Sequence, residues 1–178
     1  MPEPGDELVQ QRLAKLKRIR EKGIDPYPHR YHRSHTTQEA VALFEGLEKS
    51  VMPLTATTQG VHSTQETVQV AGRIISLRGM GKSSFLDLRD GSGKIQVYLR
   101  RDRLGEERYA LLKELDLGDF LGVSGAMFRT KTGEVTVEAS DYRVLAKSVR
   151  TPPEKWHGLV DVEKRYRQRY LDLMSSEE

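Results

Sequence analysis

Residues 70–100 read VAGRIISLRGMGKSSFLDLRDGSGKIQVYLR, and this stretch decides the fold. Within it, apolar and polar residues alternate over residues 84–89 and 94–100, on either side of the sequence DGSG. Alternation with a period of two is typical of half-buried strands, and Asp-Gly between two such runs favours a tight turn. The stretch therefore predicts a β-hairpin whose leucines face a core and whose Phe85 faces the opposite side.

The sequence Gly81-Lys82-Ser83 resembles the end of a phosphate-binding loop, G-x-x-x-x-G-K-[ST]. The first glycine of that motif is replaced here by Ser76. Such a loop also joins a strand to a helix, whereas a strand follows Ser83 in this sequence. We therefore interpret Lys82 as part of a turn and look for another ligand than a nucleoside triphosphate.

Three more strands and one helix are predicted around the hairpin. Alternating runs occur at 67–75, 120–129 and 134–145, and residues 104–115 have helical spacing. The order β-β-β-α-β-β is that of the OB-fold, a five-stranded Greek-key barrel whose second and third strands bind oligonucleotides or oligosaccharides. The sequence thus predicts a mainly β domain with flanking helices.

The chain begins with a predicted helical segment. Over residues 6–22, apolar residues recur at helical spacing, and the remaining surface is basic, with the side chains Arg12, Lys15, Lys17, Arg18, Arg20 and Lys22. Such a helix either attracts a polyanion or is an ordinary solvated helix, and both readings stay open. A second helix is predicted from the capping sequence at Thr36 to Leu47, and residues 48–66 read as a linker or a partly ordered loop.

Composition excludes several classes of protein. The 178 residues include no cysteine, which excludes disulfides, thiolate catalysis and zinc sites made of cysteine. His29, His32 and His35 lie three residues apart but without nearby carboxylates, so solvated histidines are favoured over a metal site. No apolar run is long enough for a membrane span and the N-terminus is too polar for a signal peptide, so we expect a soluble cytoplasmic protein without membrane contact.

The side of the predicted barrel that carries Phe85 has the residue types that bind an unpaired base. Gln96 alternates onto the same side, and Arg78 and Lys82 lie in the loop that leads into Phe85. A bound base needs an aromatic face for stacking, an amide for its edge, and positive charge for the backbone. The alternative is that Phe85 belongs to the end of the barrel core and that Gln96 is a surface residue.

Three stretches resemble the N-terminal anticodon-binding region of class II lysyl-tRNA synthetases. They are residues 70–100, quoted above, LDLGDFLGVSGAMFRTKTGEVTV at 115–137, and PPEKWHGLVDVEKRYRQRYLDLM at 152–174. Residues 8–35 fit more loosely, as the leading helix of those enzymes. Residues 48–66 match no part of that pattern.

The resemblance implies that the barrel reads the uridine-rich anticodon of lysine tRNA. By motif position, Phe85 stacks on the central uridine, Gln96 bonds the base edge, and Arg78 helps to hold the loop. Glu134, in the T-G-E turn, contacts a neighbouring anticodon base.

Arg73 and Lys82 are implied as further contacts to phosphate or base. The related aspartyl and asparaginyl enzymes share the Arg, Phe and Gln spacing, so those residues do not select lysine. The lysine assignment depends on the sequences KTGEVTV, EKWHGL and RYRQRYLDL.

The resemblance also implies a division of the chain. Residues 1–65 form a helical extension and linker, residues 66–148 form the anticodon-binding barrel, and residues 149–178 form a hinge and the helix that leads to an absent catalytic domain. ATP and magnesium are expected only in that domain, so this chain is expected to bind no cofactor or metal and to be inactive alone. Family members are homodimeric, and this chain is expected to be a monomer or weak dimer.

Two other functions stay open beside the recognition of lysine tRNA. One is a general binder of single-stranded nucleic acid or oligosaccharide, which the same fold supports. The other is a scaffold or dimerisation piece of a larger enzyme, with no ligand on the barrel.

Overall fold

The computed structural model describes residues 4–50, 60–150 and 162–175. Two helices come first, and five strands follow. The helices are α1 (Pro4–Glu21) and α2 (Thr37–Lys49), and the strands are β1 (Gly60–Met80), β2 (Ser83–Arg89), β3 (Lys94–Arg100), β4 (Phe120–Thr130) and β5 (Val135–Ala146). Between β3 and β4 lie α3 (Arg101–Leu104), α4 (Glu106–Ala110) and a 3₁₀ helix (Leu111–Glu114), and the last elements are α5 (Val162–Arg167) and α6 (Arg169–Ser175).

The five strands close into a barrel in the order β1-β2-β3-β5-β4. All neighbours are antiparallel except β3 and β5, which are parallel. The inward residues of the hairpin, Leu86, Leu88 and Val97, are completely buried. The Greek-key OB-fold predicted from the order of the strands is therefore confirmed.

Strand β1 begins earlier in the chain than the alternating run at residues 67–75 predicts. It begins at Gly60, inside the stretch 48–66 that the sequence predicts as a linker, and it pairs with β4 through two shifts of register before Thr67. A bulge moves side chains from one face to the other, so a bulged segment loses the alternation by which a strand is detected. The linker prediction is thus wrong for residues 60–66, and residues 51–59 lie outside the described part.

The loop predicted before Phe85 is a strand with a tight turn. Strand β1 continues through Arg78 to Met80, and only Gly81 and Lys82 join it to β2. Gly81 has a φ of +68°, a conformation that a residue with a side chain rarely adopts. Arg78 is therefore a strand residue directly opposite Phe85, which the sequence did not predict.

The helix predicted at 104–115 is divided. Gly105 separates α3 from α4 with a φ of +81° and a ψ of 159°, and the chain then tightens into the 3₁₀ helix. Helical spacing in the sequence continues across this break because the apolar side chains on both sides still face the barrel. Leu104, Leu111, Leu112 and Leu115 are all buried.

Helix α1 is fastened to the barrel by part of its basic surface. Lys15 pairs with Asp116 at 2.6 Å, and Arg18 pairs with Glu114 at 2.8 Å. Arg12 is buried and donates hydrogen bonds to the main-chain oxygens of Ser148 and Arg150. Half of the six cations that suggested a polyanion site therefore hold the helix in place.

A buried ionic cluster lies under α1. The ammonium group of Lys147, which directly follows β5, contacts Oδ2 of Asp119 at 2.8 Å, and neither side chain reaches solvent. Lys147 also pairs with Asp116, the partner of Lys15. The cluster joins the first helix, the turn before β4 and the end of β5.

Helix α2 begins as the sequence predicts. Thr36 and Glu39 form a capping box, and Phe44 is completely buried on the barrel side. Its first turn is bound to the β2–β3 turn, because the carboxylate of Asp90 accepts hydrogen bonds from the Thr37 main chain and hydroxyl at 3.0 and 2.7 Å.

The helix predicted near the end is broken at Gln168 into α5 and α6. Tyr166 of α5 and Tyr170 and Leu173 of α6 are 81%, 51% and 69% exposed. The prolines at 152 and 153, predicted as a hinge, and the sequence EKWHGL fall outside the described residues. Among the described helices, none is long and apolar enough to cross a membrane.

Candidate nucleic-acid interface

The outer wall of β1, β2 and β3 carries the candidate site. Arg78 on β1 lies opposite Phe85 on β2, which lies opposite Tyr98 on β3. Phe85 is partly exposed, whereas its neighbours Ser84 and Leu86 are buried on the other side of the strand. The ring of Phe85 is thus on the outer wall, as the alternation predicts, and outside the apolar interior.

Phe85 rests on a second aromatic ring. The rings of Phe85 and Tyr98 are stacked with their centroids 4.5 Å apart and their planes 28° apart. Tyr98 is only 4% exposed and contacts Phe128 edge-on at 6.0 Å. Tyr98 thus supports the Phe85 ring from one side, and an aromatic ring on the wall of a nucleic-acid-binding barrel is a platform on which a base can stack.

Gln96 is held by two neighbours. Its Nε2 donates to Oε2 of Glu134 at 2.9 Å, and its Oε1 accepts from the hydroxyl of Thr136 at 2.9 Å. A carboxylate only accepts, so the amide can face Glu134 only with its nitrogen. The sequence predicts an exposed polar side chain here, but Gln96 is 7% exposed because the β4–β5 turn and β5 lie beside it.

A groove of about 390 Å³ joins these residues. Its walls are Arg78, Met80, Phe85 and Gln96 of the first three strands, Thr130 at the end of β4, and Lys131 and Thr132 of the β4–β5 turn. The Arg78 side chain is 60% exposed and its guanidinium lies 4.0 Å from Asp87, a distance at which it remains available to a ligand. The groove therefore combines an aromatic ring, an amide and two cations.

The structure brings four of the predicted residues together and leaves two elsewhere. Arg78, Phe85 and Gln96 line the groove, and Glu134 is bonded to Gln96 at its edge. Lys82, in the turn between β1 and β2, instead lines a neighbouring groove of about 530 Å³ that also includes Tyr98 and Arg101.

Arg73 lies at the other end of the outer wall. Its guanidinium is 4.5 Å from the ring centroid of Phe120 and donates to the main-chain oxygen of Gly118 at 3.3 Å. The structure does not bring Arg73 into the groove.

The sequence analysis did not identify Tyr98, Thr130 at the end of β4, or Thr132 in the β4–β5 turn. The signal for Tyr98 was present, because a hairpin centred on the DGSG turn pairs Phe85 with Tyr98. No local signal indicated Thr130 and Thr132, since their position depends on closure of the barrel.

The histidines of the early loop are separate from this site: His29 and His32 are exposed, and His35 contacts the hydroxyl of Ser34. In the described part of the chain, no three histidines or carboxylates are grouped as metal ligands.

Comparison with known proteins agrees with the barrel and the groove described above. Residues 68–145 match the model of an OB-fold nucleic acid binding domain, the tRNA anticodon family. The chain is 52% identical to a lysine–tRNA ligase of Dehalococcoides mccartyi over 97% of its own length, and 47% identical to one of Carboxydothermus hydrogenoformans over the same share. A lysine–tRNA ligase of Staphylococcus epidermidis is 40% identical over the whole chain. The chain spans about a third of the length of these relatives (33%, 32% and 34%). The predicted resemblance to an anticodon-binding region is confirmed.

Proposed function

We propose that this chain, whose residues 68–145 belong to the OB-fold family of nucleic acid binding domains, binds tRNA and recognises the uridine-rich anticodon loop of lysine tRNA. The observation that carries the proposal is the position of Phe85. Its ring is on the outer wall of the barrel, supported by Tyr98 and facing a groove lined with Arg78 and Gln96. Aromatic rings on strands of this kind bind unpaired bases by stacking.

The polar groups of the groove suit the edge of a uracil. That edge has one N–H donor between two carbonyl acceptors. Gln96 uses one N–H for Glu134 and keeps a second, and Arg78 offers further donors. The carboxylate of Glu134 is an acceptor for the uracil N–H or for a neighbouring base. The contact between Gln96 and Glu134 also holds the amide before RNA arrives, which lowers the ordering cost of binding.

The catalytic function is proposed for a larger protein. The relatives are about three times as long as this chain, and their name describes the joining of lysine to tRNA. We infer that this chain is the tRNA-reading part of an ATP-dependent lysine–tRNA ligase, and that ATP, magnesium and lysine bind in a catalytic domain beyond it. Alone, the chain would bind RNA without aminoacylation, as a monomer or weak dimer in the cytoplasm.

A titration with two RNAs tests the proposal. The first is the anticodon stem-loop of lysine tRNA, and the second is identical except that cytidine replaces the central uridine. We expect tighter binding of the first. Equal affinities would favour a general single-strand binder, and the absence of binding to either RNA would favour a scaffold.

Variants of Phe85 connect that result to the groove. Phe85→Ala should weaken binding by about 1–3 kcal/mol, the value of one base stack, and should remove the preference for uridine. Phe85→Tyr keeps an aromatic face and is the matched control, with binding near that of the unaltered chain. Unchanged binding by Phe85→Ala would contradict the stacking role.

A further inference from the structure

Thr136 on β5 is a completely buried polar side chain behind the groove. Its neighbours along the strand, Val135 and Val137, belong to the apolar core, so the alternation places Thr136 on the outer side of the barrel. There it lies directly opposite Gln96 of β3, in the parallel pair of strands that closes the barrel. Because Thr136 has no exposed surface, any effect of its side chain on a ligand must be transmitted by Gln96.

The hydroxyl of Thr136 holds one end of the Gln96 amide. It donates to Oε1 of Gln96 at 2.9 Å, while Nε2 of the same amide donates to Oε2 of Glu134 at 2.9 Å. The last torsion angle of a glutamine is soft, so an amide held at one atom still rotates, whereas an amide held at both ends has one orientation. Gln96 therefore keeps one N–H and one lone pair in fixed positions for a ligand.

The two neighbours of the amide differ in what they tolerate. The carboxylate of Glu134 only accepts, so it binds the nitrogen end of Gln96 and repels the oxygen end. The hydroxyl of Thr136 can donate or accept, and a second acceptor, the main-chain oxygen of Glu134, lies 3.2 Å from it. Glu134 therefore selects the orientation of the amide, and Thr136 maintains it by supplying the donor that a largely buried Oε1 needs.

The orientation of this amide decides which pyrimidine fits the groove. Uracil has a carbonyl group and a ring N–H where cytosine has an amino group and a bare ring nitrogen. Turning the amide over would exchange the positions of its free N–H and its free lone pair. A site that hydrogen-bonds one base edge rejects another because its own polar groups are then left unpaired. A preference for uracil thus requires that the Gln96 amide does not turn.

We propose that Thr136 is a positioning residue, which determines the preference of the groove for uracil over cytosine by holding the Gln96 amide. Its hydroxyl makes no contact with RNA. Phe85 provides stacking, which any base can use, and the orientation of Gln96 provides the choice of base. This inference rests on the proposed function and gives a task to a residue that does not line the groove.

Removal of the Thr136 hydroxyl tests the proposal. Thr136→Val keeps the shape of the side chain but cannot donate to Gln96. We expect it to lower the ratio of the affinities for the uridine and cytidine stem-loops by about three- to tenfold, the contribution of one net hydrogen bond. The loss should come from weaker binding of the uridine stem-loop, because stacking on Phe85 holds either base. Calorimetric titration measures both affinities.

Matched variants separate positioning from a general loss of stability. Thr136→Ser keeps the hydroxyl and should give the ratio of the unaltered chain. Thr37→Val is the same substitution at another completely buried threonine, whose hydroxyl donates to Asp90 at 2.7 Å outside the groove. It should lower stability and leave the ratio unchanged. Should circular dichroism show that Thr136→Val is unfolded, Thr136→Ala removes the same hydroxyl and has the same expected result.

Hydrogen exchange at the Gln96 side chain measures the positioning without RNA. In NMR spectra of the unaltered chain, the side-chain amide protons of Gln96 should exchange with water more slowly than those of Gln10, which is exposed on α1. Thr136→Val should make exchange at Gln96 faster and leave exchange at Gln10 as it was. Thr136→Ser should keep the slow exchange at Gln96.

The outcomes distinguish this inference from the proposed function. A folded Thr136→Val chain that keeps the full preference for uridine overturns the inference and leaves base recognition intact. The same loss of preference in Thr37→Val also overturns it, because the effect would then come from stability. Equal affinities of the unaltered chain for both stem-loops contradict base recognition, and hydrogen exchange at Gln96 then decides whether Thr136 positions the amide.

Discussion

Oε2 of Glu134 accepts a hydrogen bond of 2.9 Å from Nε2 of Gln96, across the parallel pair of strands that closes the barrel. Glu134 comes from the turn before β5, and Gln96 is in the middle of β3. The contact therefore connects the β4–β5 turn with the outer wall that carries Phe85. It fixes both the shape of the groove and the direction in which its amide points.

Replacing Gln96 with glutamate would turn this contact into repulsion. In Gln96→Glu two carboxylates share a largely buried place, which raises the pKa of one of them above its value in the unfolded chain. Such a group adds stability at low pH and loses it as the pH rises through the folded-state pKa. We expect the variant to be about 1–3 kcal/mol less stable than the unaltered chain at pH 7.5 and to recover much of the loss at pH 4.5.

Urea unfolding at the two pH values measures this effect. Gln10→Glu, at an exposed position of α1, is the control and should change stability little at either pH. The same deficit at both pH values would show that Gln96→Glu acts through packing rather than charge.

Asp90 should make the stability of the barrel depend on pH with a sign opposite to that expected for Gln96→Glu. Burial alone would raise the pKa of Asp90, but the hydrogen bonds from Ser92 and Thr37 outweigh it and hold the pKa well below its usual range. The stability it contributes is therefore present above the unfolded pKa, near 3.9, and is lost as the pH falls through the folded value.

The variant Asp90→Asn should reduce the free energy of unfolding by about 1–3 kcal/mol at pH 6, because hydrogen bonds to a charged group are replaced by weaker ones. The gap to the unaltered chain should narrow toward pH 2 in chemical denaturation. Asp102→Asn, at an exposed residue of α3 that pairs with Arg100, is a comparison for a carboxylate outside the core. A difference in unfolding free energy between Asp90→Asn and the unaltered chain that grows as the pH falls would contradict the lowered pKa of Asp90.

The buried cluster below α1 should be sensitive to the loss of its cation. Lys147→Met leaves the carboxylate of Asp119 without solvent and without its ammonium partner. Breaking a buried pair in this way typically costs about 3–5 kcal/mol. Lys15→Met removes a cation from the same cluster at its partly exposed edge, where a pair contributes only about 0–1 kcal/mol. Thermal unfolding of both variants should show a much larger decrease in melting temperature for Lys147→Met.

Two glycines of the strands should respond differently to alanine. A Cβ at Gly125 would overlap the main-chain oxygen of Glu138, at the point where the β4–β5 register shifts. We expect Gly125→Ala to destabilise the barrel by about 1–3 kcal/mol or more. Gly79 has open space around it, so Gly79→Ala should be neutral or stabilise by about 0.4–1 kcal/mol. Equal effects of the two substitutions in urea unfolding would contradict the overlap with the Glu138 main chain as the cause of the lost stability.

The fold could be predicted because each strand near the site has its own signal. Leu86 and Leu88 alternate with Phe85 and Asp87, and that local pattern gives both the strand and the side of the barrel on which each residue lies. The part of the strand before Thr67 could not be predicted, since its register shifts remove the alternation.

The environment of the site residues depends on contacts between distant parts of the chain. The exposure of Gln96 is determined by Glu134 and Thr136, which are 38 and 40 residues away. The basic surface of α1 similarly looked available for RNA, because its partners Glu114 and Asp116 are about a hundred residues further on. Residue type and spacing thus predict that Phe85 can stack on a base and that Gln96 can hydrogen-bond its edge. They do not show which cations of α1 are paired with carboxylates of the barrel domain.

The first helix and the segment after β5 are joined by direct contacts. Arg12 donates to the main-chain oxygens of Ser148 and Arg150, and the hydroxyl of Tyr27 donates to the main-chain oxygen of Lys147. Release of α1 would therefore also free residues 147–150, so that a protease able to cleave one of these segments should also cleave the other. Segments more than a hundred residues apart should thus behave as one unit of local unfolding, in which the first helix and the loop after it hold residues 147–150 in place.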